Sequence, residues 1–224
     1  NMFDLSQNAP KWYGPWSGGI LVKASQDVGN SVKTPLDQLT WADAAGTVVH
    51  AMADGEWGGV QFEVGSAEKV VNATTKKMNG DARLHFTRGG WQQARPATMK
   101  TSNRFYMEGN LEFLDVAGEW HYDAKSRALF VIPPHGNAAM TSLVLTQSDC
   151  LLRFEGSSME GRTAHLRFEN MTFTHTSASF FHQHEESSGG DYAVTRSAAI
   201  VAENASSITI SGCDFMHIGG NAVV

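Results

Sequence analysis

The sequence predicts an all-β chain that combines a parallel β-helix with an inserted small antiparallel β-domain. Two observations lead to this fold class. A pattern of two short strands separated by a bend occurs at 165–175 and again at 207–217, 42 residues later. Repetition at such a period is typical of stacked architectures in which no unit can bury its own apolar face. The middle of the chain instead has alternating apolar strands split by turn residues, which is typical of antiparallel sheets.

The first two regions differ in composition. Residues 1–45 are rich in Trp, Gly, Pro and Ser, and are predicted to form an irregular lead-in containing one strand, Ile20–Val22, interpreted as the first strand of the β-helix. Residues 46–147 are predicted to form the inserted antiparallel β-domain. Its expected strands alternate or run apolar, and they are 47–50, 59–64, 83–87, 120–122 and 128–132. The polar segment 123–127 is predicted to close a hairpin between the last two.

Residues 148–224 are predicted to form rungs of the β-helix. Register stacking would place the apolar positions of the two copies in pairs: Leu166 with Ile208, Phe168 with Ile210, Met171 with Cys213, and Phe173 with Phe215. The segment 152–156 resembles 166–170 at a spacing too short for a rung, so the two are interpreted as strands on different faces or as an abbreviated first rung. Val224 falls within an apolar strand, and an open rung needs a cap. We therefore expect further rungs C-terminal to Val224, with this chain being the N-terminal portion.

Charge and composition exclude some classes of function. The formal net charge is −6 and Lys and Arg are not clustered, which argues against a nucleic acid partner. No apolar run approaches the length of a membrane span. Two cysteines, Cys150 and Cys213, are too few for a disulfide framework. Cys213 occupies an inward position and is interpreted as a small buried hydrophobe.

Three N-glycosylation sequons are present, and they would be used only in a secretory compartment. Their acceptor residues are Asn72, Asn170 and Asn204. For any one of them, chance occurrence is at least as good an explanation. Asn170 and Asn204 also lie where bends are expected, and Asn tolerates left-handed backbone geometry there.

Six segments of the sequence share a pattern with one known family, and they are 104–109, 114–123, 129–134, 168–175, 189–200 and 213–223. Together they resemble the secreted right-handed parallel β-helix proteins of the pectate-lyase-like superfamily, including β-helix glycosidases with a β-barrel inserted early in the coil. The resemblance implies a right-handed parallel β-helix with an inserted antiparallel domain, a secreted location and a glycan partner. It also implies that the active site lies on later rungs, so it identifies no catalytic residue.

The segment 175–197, called the excursion below, holds the densest group of chemistry-bearing residues. His182, His184 and Glu185 could ligate a divalent cation such as Ca²⁺, because imidazole and carboxylate groups are metal donors. Their spacing matches no established metal signature. A solvated surface loop explains the same residues and is the better-supported interpretation.

Four residues are candidates for catalysis. Asp191 and Asp214 are the carboxylates that a glycoside hydrolase would need on either side of the bond. Asp214 and His217 are expected on one outward face, where they could act as an acid–base pair. A lyase would use His217 or Arg196 as the base and a cation to neutralise a uronate. Outward residues such as Asp214 and His217 are mostly just solvated, and Asp191 could instead cap a bend by bonding local backbone amides.

Flat aromatic rings suggest where a sugar could bind. Trp12, Trp16, Trp57, Trp91 and Trp120 lie in turn-rich segments. Such rings stack on flat apolar surfaces, although packing in a small β-domain explains each of them as well. Trp91 is expected to be exposed, and together with Arg95 and Glu186 it is a candidate substrate-binding residue.

These observations support three hypotheses of function. The first is an extracellular carbohydrate-active β-helix protein, a glycoside hydrolase or polysaccharide lyase that acts on a polysaccharide. The second is a non-catalytic glycan-binding or structural module of a cell surface or matrix, since nothing in the sequence demands catalysis. The third is an intracellular assembly protein. A fold alone does not decide between them.

Overall fold

The structure, a computed structural model, describes residues 20–22, 39–52, 59–71, 74–75, 78–90, 104–134, 142–158, 160–182, 184–186 and 193–224. The chain divides into two compact units. The first comprises Asn1–Thr141 with Glu186–Ala193, and the second comprises Ser142–Glu185 with Val194–Val224. The predicted boundaries at 45/46 and 147/148 stay predictions.

Almost all regular structure is β. Within the described ranges there is no α-helix, and one short 3-10 turn spans Leu111–Phe113. The strands, in chain order, are β1 Ile20–Val22, β2 Val48–Met52, β3 Gly59–Val71, β4 Met78–Gly89, β5 Phe105–Glu108, β6 Trp120–Asp123, β7 Ala128–Val131, β8 Leu152–Glu155, β9 Thr163–Ala164, β10 Arg167–Glu169, β11 Thr172–Thr174, β12 His184–Glu186, β13 Ala193–Thr195, β14 Ala198–Glu203, β15 Ala205–Ser206, β16 Thr209–Ser211, β17 Asp214–Met216 and β18 Asn221–Val223.

The first unit is built on a five-stranded antiparallel sheet with the order β1-β4-β3-β2-β5. Buried and less buried residues alternate along β2, β3 and β5, because successive side chains point to opposite faces of a strand. One face therefore forms a core. Its fully buried members include Val49, Val60, Phe62 and Leu84.

The lead-in strand has a different role from the one predicted. Ile20–Val22 forms a strand, but Ile20 pairs antiparallel with Leu84 at the edge of the five-stranded sheet. Its prediction as the first strand of the coil is therefore wrong. A three-residue apolar run pairs equally well with either kind of sheet, and the sequence gives no sign of which partner it takes.

A carboxylate fixes the segment that enters this core. Glu112 accepts hydrogen bonds from the backbone amides of Thr40, at 2.9 and 3.1 Å, and of Trp41, at 2.9 Å, and from the Thr40 hydroxyl. Trp41 has a left-handed φ of 60°, which is rare for a bulky residue. Its indole packs edge-on against Phe113 with ring centroids 6.3 Å apart. These hydrogen bonds to Glu112, called the Glu112 clamp below, stabilise the left-handed backbone conformation of Trp41, which would cost energy on its own.

The hairpin predicted around 123–127 is confirmed. β6 pairs antiparallel with β7, with Trp120 opposite Val131 and Tyr122 opposite Leu129. Asp123 caps the turn by accepting hydrogen bonds from the Lys125 amide at 2.8 Å and the Ser126 hydroxyl at 2.5 Å.

The second unit contains parallel sheets of two or three short strands. β10 pairs with β16 and β11 with β17, in the register that the sequence repeat predicts. Phe173 lies opposite Phe215, as predicted, and their rings stack with centroids 5.1 Å apart. Met171 is an exception to the predicted inward pattern because it is exposed. The chain is therefore all-β with both antiparallel and parallel sheets.

The number of residues between two strands that stack on one another, called the step below, differs along the chain. Ile200 pairs with Leu152 on one side and with Val223 on the other, and the step back to Leu152 is much the longer because it contains the excursion. That step also has the segment 156–162 between β8 and β9, where the single residue Asn204 separates β14 from β15.

The pairing register also decides between the two interpretations of the similar segments 152–156 and 166–170. Leu152 pairs with Ile200, whereas Arg167 pairs with Thr209, which lies on a different strand of the next level of the stack. The segments 152–156 and 166–170 are thus different strands of one level, as the first of the two alternatives predicted.

Left-handed bends recur at the same offset as the paired strands. His165, Asn170 and His175 have φ values of 61°, 53° and 61°, and their counterparts Ser207, Gly212 and His217 have values of 54°, 61° and 53°. Asn204 has a φ of 48°, so the predicted left-handed geometry of Asn170 and Asn204 is confirmed. Each such non-glycine residue costs about 1–2 kcal/mol relative to the right-handed conformation. The pairing of the flanking strands must offset that cost.

Candidate functional site

Three polar side chains of the second unit meet before β8 and β14. The Ser197 hydroxyl donates a hydrogen bond of 2.8 Å to Oδ2 of Asp149. Nδ1 of His182 lies 3.4 Å from the same oxygen. Ser197 is buried, whereas the Asp149 and His182 side chains are 34% and 44% exposed. A carboxylate with one buried partner and one accessible imidazole partner is an arrangement that a ligand can reach.

The stacking register explains why these residues meet. Asp149 and Ser197 have the same separation in sequence as Leu152 and Ile200, which pair across β8 and β14. Leu151 N donates a hydrogen bond of 2.8 Å to Ala199 O, so the pairing of β8 with β14 extends toward Asp149 and Ser197. His182 is placed by a turn in which its amide donates to Ser179 O at 2.9 Å.

The surroundings of Asp149 favour its ionised form. The Ser197 hydroxyl has the largest influence and lowers the pKa of the Asp149 carboxyl, burial opposes it, and the nearby His182 and Arg153 lower it further. Asp149 therefore carries a negative charge at neutral pH. It can accept hydrogen bonds or stabilise a positive charge that develops on His182.

His184 is the second predicted residue in this part of the chain. Its Nδ1 donates a 2.8 Å hydrogen bond to the backbone carbonyl of His182, which leaves Nε2 as the acceptor nitrogen in the neutral ring. Burial lowers the pKa of His184. The geometry favours a neutral imidazole whose orientation is fixed by the chain.

The predicted metal set stays a prediction. The side chains of Glu185 and Glu186 lie outside the described residues. Among the residues that the structure does describe, no group of three or more His, Cys, Asp or Glu side chains is placed to hold a metal ion.

Asp214 and His217 are both exposed. They are separated by the end of β17 at Met216, and His217 bends the backbone at a φ of 53°. The His217 ring stacks on His175 instead, with centroids 5.0 Å apart, and Nδ1 of His175 lies 2.8 Å from the Thr174 hydroxyl oxygen. In the described part of the chain, no hydrogen bond or ion pair joins Asp214 to His217. A joint acid–base role stays a prediction.

The remaining predicted residues divide into two groups. Arg196 is exposed beside Ser197, and Asn170 and Asn204 are exposed at their bends. Nδ2 of Asn204 donates a 3.2 Å hydrogen bond to Gly156 O. The others lie outside the described residues, and they are Asp191, Trp91, Arg95 and Asn72.

Sequence reasoning missed Asp149 and Ser197. The available signal was that each of them precedes a stacked strand position, Leu152 and Ile200 respectively, by the same distance. The segment 156–162 conceals this match, because its extra residues make the step from β8 to β14 longer than the step from β10 to β16.

A second imidazole–carboxylate pair lies on the first unit's sheet, on the face opposite the core. Nε2 of His50 donates a 2.9 Å hydrogen bond to Glu108, and the His50 ring stacks on Tyr106 with centroids 4.4 Å apart. The hydrogen bond from His50 is the main reason that the pKa of Glu108 is lowered, and burial raises the pKa of Tyr106. The cross-strand register of β2 and β5 brings these residues together. The stacked ring limits access to His50, so Asp149 and His182 form the better candidate site.

Comparison with known proteins gives one informative result. No protein-family model matches this chain, and no curated protein matches it. A solved structure named "Glycoside hydrolase" resembles it with a TM-score of 0.58 and 22% sequence identity. The likeness covers 81% of this chain and 35% of that chain, so the protein spans about a third of its neighbour's length. At this identity the likeness shows the fold alone.

No helix in the described residues is both long enough and apolar enough to cross a membrane.

Proposed function

We propose that the second unit is the beginning of a right-handed parallel β-helix, which continues in further rungs C-terminal to Val224. The constant register of β10–β16 and β11–β17 supports the coil. The 35% coverage of the similar glycoside hydrolase chain supports a longer whole. Only two or three strands stack at each position described here, so partly exposed apolar residues such as Ile210 and Phe215 would gain burial from another rung.

The function proposed for this protein is the hydrolysis of a polysaccharide. His182 is the proposed general base, and Asp149 is the carboxylate that supports it. The observation that carries the proposal is Asp149, which is held ionised by buried Ser197 and lies beside accessible His182. His182 would take a proton from water, and Asp149 would stabilise the resulting imidazolium. The water oxygen attacks the anomeric carbon while an acid donates a proton to the departing glycosidic oxygen, so that one C–O bond forms and one breaks.

The first experiment is a screen of neutral and acidic polysaccharides, scored for new reducing ends and for unsaturated uronate absorbance. Reducing ends without that absorbance are expected of a hydrolase. Asp149→Asn and His182→Gln should each lower kcat by about 10²-fold or more. Glu155→Gln, which changes an exposed carboxylate paired with Arg153, is the matched control and should leave turnover unchanged.

Other outcomes of the same screen would select a different function. Unsaturated products would identify a polysaccharide lyase. Glycan binding by the wild type without any product would favour the non-catalytic binding module. Full activity in both Asp149→Asn and His182→Gln would remove this pair from the mechanism and return attention to Asp214 and His217.

We also propose that the protein is secreted and carries an N-glycan at Asn170. Asn170 is exposed at its bend, whereas the Asn204 amide is engaged by Gly156 O. Expression in a eukaryotic secretory host should give a mass increase that Asn170→Gln removes and Asn204→Gln does not. An unmodified protein from that host would contradict the glycan.

A further inference from the structure

The hairpin β6–β7 presents two large aromatic side chains to solvent. Trp120 is 67% exposed and Tyr122 is 49% exposed. They occupy alternate positions on one strand, so they share a face of the hairpin. Their partners across the hairpin, Val131 and Leu129, lie on that same face. The four side chains form a continuous apolar surface, which we call the Trp120 face.

Hydrogen bonds on both sides of the hairpin keep this surface in place. At its base, Oε2 of Glu119 accepts from the Asp115 and Val116 amides at 2.9 Å each. Gly118 N donates to Ile132 O at 2.8 Å, and Ile132 N donates to Glu119 O at 3.0 Å. At its tip, Asp123 holds the turn. A rigid surface loses little conformational entropy when a ligand binds.

The size and chemistry of the Trp120 face favour a small flat ligand. Its strands are four residues long, which corresponds to about 13 Å. A stable protein interface needs about 800 Å² from each partner, more than four side chains on a two-stranded ribbon supply. None of the four carries a charge, so the surface has nothing to attract an anion. Aromatic rings bury large apolar areas and stack on other flat groups.

We propose that Trp120 and Tyr122 form a stacking platform for the pyranose rings of a neutral glycan. The platform is a binding surface additional to Asp149 and His182. The choice of glycan as the ligand rests on the proposed function. The C–H face of a pyranose ring is flat and apolar, so it would cover the indole of Trp120 without desolvating any charged group.

Affinity electrophoresis and calorimetry with neutral polysaccharides test this proposal. Trp120→Ala should weaken binding about tenfold, or ~1.4 kcal/mol, and Tyr122→Ala somewhat less. Trp120→Tyr should retain part of the affinity, because it keeps an aromatic ring. Phe130→Ala is the matched control: Phe130 is 40% exposed and lies opposite His121, on the other face of the same hairpin. It should bind like the wild type. Circular dichroism and thermal unfolding would verify that each variant folds.

The outcomes separate this inference from the proposed function. Unchanged glycan binding by Trp120→Ala would overturn the platform while leaving the Asp149–His182 mechanism intact. Loss of binding in Trp120→Ala, with a wild type that binds glycan but releases no product, would support the platform and overturn hydrolysis. If Trp120→Ala abolished self-association on light scattering and did not affect glycan binding, the surface would be an interface between copies. A wild type that binds no neutral glycan would overturn the platform.

Discussion

The two units bury their apolar residues in different ways. In the first unit, the antiparallel sheet and the segment clamped by Glu112 enclose a core in which Phe62 and Leu84 are fully buried. In the second unit, burial depends on stacking: Ile200, with a strand on each side, is fully buried, but Phe215 at the end of a pair is only partly covered. A side chain in an enclosed core packs against many neighbours, whereas a side chain in a stack is covered only by the strands above and below it.

The two units should differ most in the unfolding free energy that is lost when a phenylalanine is truncated. Phe62→Ala is expected to cost about 3–5 kcal/mol of unfolding free energy, because it opens a cavity in an enclosed core. Phe215→Ala should cost less than half as much, since Phe215 is partly exposed. Urea denaturation of both variants measures the difference. Equal losses would show that the second unit is as tightly packed as the first.

The Glu112 clamp should contribute the next largest effect. Burial of Glu112 opposes ionisation, but the hydrogen bonds from Thr40 and Trp41 outweigh it, so the pKa of Glu112 is lowered in the folded protein. Its stabilisation is therefore present at neutral pH and is lost as the pH falls below about 4. Glu112→Gln should cost about 2 kcal/mol at pH 7 and less at pH 3, as measured by urea denaturation at both values. A loss that is independent of pH would contradict an ionic clamp, and Glu155→Gln serves as the exposed control.

The left-handed bends of the second unit should be sensitive to any added Cβ. Gly212→Ala places a Cβ at a φ of 61° and 2.6 Å from Oδ1 of Asn170, and should cost about 1–2 kcal/mol. Asn170→Gly should be nearly neutral alone, and should reduce the cost of Gly212→Ala by removing the contacting side chain. A double-mutant cycle measures this coupling. Purely additive effects would show that the two levels are not in contact there.

The smallest of these effects is expected at the candidate site. Ser197→Ala removes the hydroxyl that lowers the pKa of Asp149, and should cost about 1 kcal/mol at pH 7. Because Asp149 has a depressed pKa when folded, the difference from the wild type should shrink as the pH falls below about 4. Urea denaturation at pH 7 and at pH 3 measures this difference, and a difference that is the same at both values would exclude Ser197 as the residue that tunes Asp149.

The repeat in the sequence was sufficient to predict the stacking of Phe173 on Phe215, because the two copies contain no insertions and keep their register visible. It also predicted the left-handed bend at Asn170. The pairing of Asp149 with Ser197 was not predictable, since the extra residues of 156–162 shift the register between them. The edge position of Ile20–Val22 was not predictable either, because three apolar residues do not specify a partner strand. Local sequence patterns thus predicted where the strands lie, whereas inserted residues concealed which side chains contact one another between stacked strands.

The corner between β8 and β9 shows how this architecture can vary. A longer segment there takes the place of Asn204 at the next level, yet Glu155 still pairs with Glu203 and Thr163 with Ala205. Lengthening a loop costs little free energy, so such corners can gain or lose segments while the hydrogen-bonded ladder stays intact. Evolution can therefore remodel the outside of the protein one corner at a time, and a peptide grafted in place of Asn204 should be carried without disturbing the neighbouring strands.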